Sequence, residues 1–165
     1  MVPDHPKNLP GSRFRSYLVR HAEAGWRQAW NGQDELRPLT HEGRRQAAGL
    51  IGALAGAEVA RILTSPFVRC VETVEPLAEA RGLPAEAVPE LAEGAGPTGA
   101  MSLLLSGPIV ACSHGDVIEA VLDALSGAGV RLAGRMAGLE TLKGAVWVLE
   151  CSGRAVVSGR LLPPG

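Results

Sequence analysis

The chain has 165 residues, enough for one sizeable core and too few for two ordinary domains, and its 46% apolar and 20% charged residues are the balance of a soluble globular protein, not of a disordered one. Sixteen Lys and Arg against seventeen Asp and Glu exclude a global field favouring nucleic acid or an anionic membrane, so any anion site must be local. No apolar run approaches the roughly 20 residues of a membrane span, which leaves no expected membrane partner.

Residues 1–13, opening MVPDHPKNLPGS, read as a flexible tail in which His5 is a solvated bystander, followed by a single domain over 14–165. The tail lacks the apolar centre of a signal peptide. Cys70, Cys112 and Cys151 are odd in number, lack metal-ligand spacing and have apolar neighbours, so they read as buried free thiols. A reducing cytoplasm is the expected compartment.

Order is expected near Phe14, with Tyr17, Leu18 and Val19 forming a short buried strand. From Ala22 to Pro38 no period is sustained, which predicts a long loop of the kind that often carries function. Thr40 then caps a helix whose face is Ala47, Leu50, Ile51 and Leu54, stopping near Gly56. Val59 to Leu63 reads as a second strand. Ser65-Pro66 reads as an N-cap with proline in the first helical position, and Phe67, Val71, Val74 and Ala78 continue one face as far as Gly82.

Glu86 to Pro89 suits a short edge strand, EGAGPTGA a glycine-rich loop, and Thr98 to Leu105 a helix. Ile109 to Cys112 reads as a strand leading through a turn into a helix with Val117, Ile118, Val121, Leu122 and Leu125 on its apolar face. AVWVLECSGRAVVSGR alternates around Ser152-Gly153 as a terminal β-hairpin in which Trp147 is core. Strands alternating with helices predict an α/β sandwich with a mostly parallel central sheet and a C-terminal antiparallel hairpin.

On this layout the polar residues that interrupt apolar patterns fall at equivalent points. Arg20-His21 ends the first strand, Ser65-Pro66 with Arg69 follows the second, and Ser113-His114-Gly115 ends a later one. Open α/β sheets bind ligands outside the carboxyl ends of their strands, so the three stretches are expected to converge. Two histidines and two arginines beside helix N-termini would make a local positive pocket suited to a phosphoryl group.

Leu18-Val19-Arg20-His21-Ala22-Glu23, Pro38-Leu39-Thr40 with Gly43, Gln46 and Ala47, Ser65-Pro66-Phe67-Val68-Arg69-Cys70 with Glu72-Thr73, and Ser113-His114-Gly115 resemble the histidine phosphatase superfamily from about Tyr17 to Leu122. The short chain and the Arg-His-Ala opening look closest to the small SixA-type phosphohistidine phosphatases, and phosphatase domains fused to Nudix hydrolases in some bacteria are also similar. The resemblance implies a three-layer α/β/α sandwich and a phosphatase that needs neither cofactor nor metal. It implies His21 as the nucleophile that accepts phosphate, with Arg20, Arg69 and His114 holding phosphoryl oxygens. It also implies a general acid in a Leu-x-Glu context, which Leu91-Ala92-Glu93 matches, with Glu90 as the fallback.

The neutral imidazole would attack phosphorus, its pKa lowered by cationic neighbours, and water would cleave the phosphoramidate. The substrate would be a phosphoprotein or a small phosphorylated metabolite. Where mutases of the superfamily have an asparagine this chain has Gly25, Trp26 and Arg27, and the stretch from Glu93 to Ile109 leaves little chain for a lid. Both features weigh against a phosphoglycerate mutase-like phosphotransferase. The intact His21, Arg69 and His114 weigh against a non-catalytic phospho-ligand binding module.

Several residues keep open readings. Trp26 and Trp30, four apart, either line the pocket rim or pack the loop, and Glu23 and Asp34 either order that loop or do not. His41 reads as solvent-facing, and Arg27, Arg37, Arg44 and Arg45 as solvated rather than part of the pocket.

Overall fold

A computed structural model describes residues 12–136 and 141–164. Most of the expected tail, His5 included, lies outside the described residues. The first strand, β1, runs over Arg13–Arg20, so regular structure starts one residue before Phe14. It is followed by α1 (His41–Ala53), β2 (Arg61–Thr64), α2 (Val68–Arg81), β3 (Ala85–Ala87), α3 (Pro97–Leu104), β4 (Ile109–Ser113), α4 (Gly115–Gly127), β5 (Arg131–Ala133), β6 (Val146–Ser152) and β7 (Ala155–Leu162).

The strands form one sheet in the order β3-β2-β4-β1-β6-β7-β5. β3, β2, β4 and β1 pair in parallel, whereas β1 with β6 and β6 with β7 are antiparallel. The mostly parallel sheet with its terminal hairpin is therefore the observed one. The hairpin turns at Gly153-Arg154, one residue later than the alternation suggests, with a bulge at Glu150/Cys151. β5 has no counterpart in the sequence reading, because three residues are too short to show a period; it pairs in parallel with β7 at the sheet edge.

The period of two sorts each central strand between two cores. Leu18, Ile109, Ala111, Trp147 and Leu149 pack on one face beneath α3 and α4, with Val117, Ile118, Val121, Leu122 and Leu125 of α4 all buried. Tyr17, Val19, Val110, Cys112, Val146 and Val148 pack on the other face beneath α1 and α2. This gives three layers, α/β/α. Cys70, Cys112 and Cys151 are buried free thiols, and Trp147 is core.

The edge strand spans Ala85–Ala87 rather than Glu86 to Pro89, because Pro89 opens a 3-10 turn, and three further elements shift for identifiable reasons. The second strand spans Arg61–Thr64 rather than Val59 to Leu63, since the ladder to β4 opens at Arg61 opposite Ile109. Ile51, expected on the buried face of α1, is 39% exposed, because that face is centred on Gly43, Ala47, Leu50 and Leu54 at steps of three and four. α2 begins at Val68, not at Pro66, and buries Cys70, Val74, Leu77 and Ala78, while Phe67 and Val71 are only partly buried. Ser65 is not its cap; the hydroxyl has another partner, described below. Two helix ends follow the sequence signals: Thr40 Oγ1 accepts the Gly43 N–H at 3.1 Å, and Gly82 closes α2 at a φ of 63°.

Candidate active site

β1, β4 and β2 are adjacent and parallel, with Arg20 opposite Ser113 and Thr64 opposite Cys112, so their carboxyl ends share one edge of the sheet. The residues that follow them, His21, His114 and Ser65, are consequently neighbours. His21 and His114, together with Arg20 and Arg69, line a cavity of about 290 Å³ whose wall also includes Trp26, Arg27, Arg37, Glu93, Asp116 and Lys143, with Ser65 behind His114.

His21 is 4% exposed and its Nδ1 lies 2.8 Å from the carbonyl oxygen of Ala22. A carbonyl only accepts, so Nδ1 carries the proton and Nε2 keeps its lone pair. Burial, foremost, and then the charge of Arg20 lower the pKa of His21 to about 2. The sequence reading assigned this shift to cationic neighbours; removal from water is the larger cause.

His114 sits with its ring 5.5 Å from that of His21 and edge-on to Phe67 at 4.7 Å. Its Nε2 is 2.8 Å from Ser65 Oγ and 3.5 Å from Cys70 Sγ, while its Nδ1 is 3.4 Å from Arg69 Nη2. A guanidinium only donates, so Nδ1 accepts and Nε2–H donates to Ser65. The Ser65 hydroxyl, which also accepts the Phe67 N–H at 3.2 Å, therefore orients a histidine instead of starting a helix.

Arg69 is 1% exposed, stacked over the Phe67 ring at 5.0 Å. It donates to the Asp34 backbone oxygen at 2.8 Å and to Asp34 Oδ2 at 3.1 Å, and its Nε is buried without a hydrogen-bond partner. Arg20 donates through Nη1 to the Thr141 carbonyl, and its Nε is likewise buried and unpartnered. Arg20 and Arg69 line the same cavity, and guanidinium groups are the side chains best suited to hold a phosphoryl group. The Arg20 guanidinium passes so near Gly115 that a Cβ there would be 3.2 Å from Cζ, which accounts for the glycine after Ser113-His114.

Glu93 lies on the cavity wall, bonded to Arg27 Nη2 at 2.9 and 3.2 Å and 3.5 Å from Arg69 Nη2. Glu90, the fallback, is exposed and its side chain packs against Gly99 instead. Asp116, which accepts the Gly94 N–H at 2.8 Å, and Lys143 line the same cavity, and the sequence reading missed both. Asp116 directly follows the Ser-His-Gly stretch, a place in the sequence that does not by itself assign it to the cavity, and Lys143 carries no local signal.

The loop from Ala22 to Pro38 contains two 3-10 turns, at Arg27–Ala29 and Asp34–Leu36. Asp34 gathers it by accepting from Arg37 and Arg69, both at 3.1 Å, and lies 3.3 Å from Arg27. Burial would raise the Asp34 pKa, but these three cations outweigh it and hold the carboxyl below its usual range. Arg37 corrects the expectation of a solvated side chain: it is 7% exposed and donates to the carbonyls of Ala24 and Gly25, both at 3.0 Å. Arg44, Arg45 and His41 are exposed.

The remaining motif residues pin the loop that follows His21. Ala22 N–H donates to Thr73 Oγ1 at 2.9 Å, Glu23 N–H to Gln46 Oε1 at 3.0 Å, and Leu39 N–H to Glu72 Oε1 at 3.0 Å. Glu23 in turn accepts from the Gly25 N–H and from Lys143; burial works against them, yet its carboxyl ends below the usual range.

Fold and site together define an α/β domain with two histidines and two arginines at one cationic cavity. Residues 16–103 match the profile of the histidine phosphatase superfamily (branch 1), and the chain belongs to that superfamily. It is 32% identical over 155 residues to an 8-oxo-(d)GTP phosphatase of Mycolicibacterium smegmatis, covering 89% of this chain and 47% of that protein. It is 35% identical over 79 residues to the phosphohistidine phosphatase SixA of Escherichia coli, covering 46% of this chain and 47% of that protein. The chain thus matches about half the length of these relatives. A solved structure of the protein histidine phosphatase SixA complexed with tungstate aligns over 90% of this chain and 94% of its own, with a TM-score of 0.64 at 23% identity, a likeness of fold. Among the described residues, no helix is long and apolar enough to cross a membrane.

Proposed function

We propose that this chain is a phosphatase that hydrolyses a phosphomonoester or phosphoramidate through a phosphohistidine intermediate on His21, without a metal ion. The observation that carries the reading is the state of His21: Nδ1–H is committed to the Ala22 carbonyl at 2.8 Å, leaving Nε2 as the nucleophile at a cavity that Arg20 and Arg69 also line.

In the first step the Nε2 lone pair forms a bond to phosphorus while the bond to the leaving oxygen or nitrogen breaks. The Arg20 and Arg69 guanidinium groups take the charge on the equatorial oxygens, and His114 joins them by trading its Nε2–H contact with Ser65 for a phosphoryl oxygen. Glu93 in its protonated form supplies the proton that the leaving group needs. In the second step Glu93 takes a proton from water as the water oxygen attacks phosphorus, and the P–N bond breaks to release phosphate and neutral His21. Two relatives support the chemistry by name, one a phosphohistidine phosphatase and one an 8-oxo-(d)GTP phosphatase. A phosphorylated protein and a small phosphorylated metabolite are both within that range.

The test is turnover of an aryl phosphate in excess chelator, with acid quenching and alkaline quenching of the labelled protein. Activity is expected to persist in chelator and to fall at least about a thousandfold in His21→Ala, with an alkali-stable, acid-labile phosphoprotein in the wild type only. Full activity in His21→Ala would overturn the assignment.

A further inference from the structure

Beside the cationic cavity lies a second one of about 220 Å³, bounded by Trp26, Trp30, Pro38 and Leu39, and the two share Gly25, Trp26 and Arg37 in their walls. We propose that this second cavity receives the base of a nucleoside phosphate whose phosphoryl group sits at His21, with Trp26 as the specificity-determining residue. The proposal rests on the phosphatase reading above and names its substrate class.

Trp26 is 80% exposed, and Trp30 is 38% exposed. Leaving two indoles on one short loop in water costs hydrophobic free energy that a monomeric surface normally avoids. The ring of Trp30 is nonetheless fixed: its Nε1–H donates to the Gln33 carbonyl at 2.9 Å, and a Cβ at Gly32 would approach the ring to 3.0 Å. The 3-10 turn between the two tryptophans closes with the Ala29 N–H donating to the Trp26 carbonyl at 3.0 Å, which holds both on one rim. A held aromatic wall facing an apolar cavity selects a planar ring, which gains from stacking as an aliphatic group does not.

The occupant is further defined by charge and by the wall that the two cavities share. The shared wall joins the apolar cavity to one lined by five basic side chains against two acidic ones, which calls for an anion at one end of the ligand and a ring at the other. The imidazole of a phosphohistidine is bonded directly to phosphorus and would stay in the cationic cavity. A sugar between phosphate and base supplies the spacing that places a ring past Trp26.

The experiment compares kcat/KM for a nucleoside monophosphate, glycerol phosphate and a phosphohistidine peptide in the wild type, Trp26→Ala and Trp26→Phe. In parallel, indole fluorescence of His21→Ala and of His21→Ala with Trp26→Phe is titrated with the same nucleotide. The ratio of nucleotide to glycerol phosphate kcat/KM is expected to fall about tenfold in Trp26→Ala, mainly through KM, and to recover in Trp26→Phe. Quenching is expected in His21→Ala and to weaken once Trp26 is replaced. An unchanged ratio, or a preference for the peptide that depends on Trp26, overturns the proposal. Quenching without turnover would keep the base site and sink the phosphatase reading; turnover of glycerol phosphate with no quenching would do the reverse.

Discussion

Gly43 in the first turn of α1 lies against the backbone of Glu23, two residues after His21, so closely that a β-carbon on Gly43 would sit 2.0 Å from the Glu23 carbonyl oxygen. That same oxygen accepts the Thr40 N–H at 2.9 Å and the Thr40 hydroxyl at 3.1 Å. The helix terminus therefore seats the loop that carries His21, and it does so by backbone contact.

Gly43→Ala is expected to force the two backbones apart and to cost about 1–3 kcal/mol of stability. Gly49 is the control, since it is in the same helix with open space around its Cβ, and Gly49→Ala is expected to stabilise by about 0.5–1 kcal/mol. Urea unfolding of the two variants reads the difference. Equal midpoints would remove the role assigned to this contact.

The buried neutral state of His21 makes stability depend on pH. Its folded pKa, about 2, is below the ordinary value of 6.5, so its contribution is complete above pH 6.5 and is lost as pH falls toward 2. Over that window the unfolded chain binds a proton that the folded one refuses, and stability falls by roughly 1.4 kcal/mol per pH unit for this group. Wild-type stability is expected to fall more steeply than that of His21→Asn between pH 6.5 and 5. An imidazole resonance of His21 titrating near pH 6.5 in the folded protein would contradict it.

Asp34 holds Arg69 against the cavity through one side-chain and one main-chain bond. Asp34→Asn leaves a buried guanidinium with a weaker partner and is expected to cost about 1–2 kcal/mol. Phosphate is expected to bind beside Arg69 and, no longer opposed by the Asp34 charge, to raise the melting temperature of the variant more than that of the wild type. A variant that melts with the wild type and responds identically to the anion would show that Asp34 does not position Arg69.

Much of this molecule was legible because its cues are local. Thr40, Gly82 and the spacing from Val117 to Leu125 fix helix limits and faces through caps and a 3.6-residue period, which neighbours along the chain suffice to set. The convergence of Arg20-His21, Ser65 and Ser113-His114 followed from a topological rule about where parallel strands end. Ser65 shows the limit of such reasoning: Ser-Pro is a sound helix start by local chemistry, but a histidine 49 positions away holds the hydroxyl instead.

The sequence by itself determined the alternation of strands and helices, the buried faces and the set of polar residues left over for chemistry, since these depend on side-chain type and short-range periodicity. Only the tertiary structure decided that Arg37 is buried, that burial more than charge keeps His21 unprotonated, and that Asp116 and Lys143 join the cavity. Each of those facts depends on which distant segments exclude water from a site. That is a property of the packed chain and not of any stretch of it.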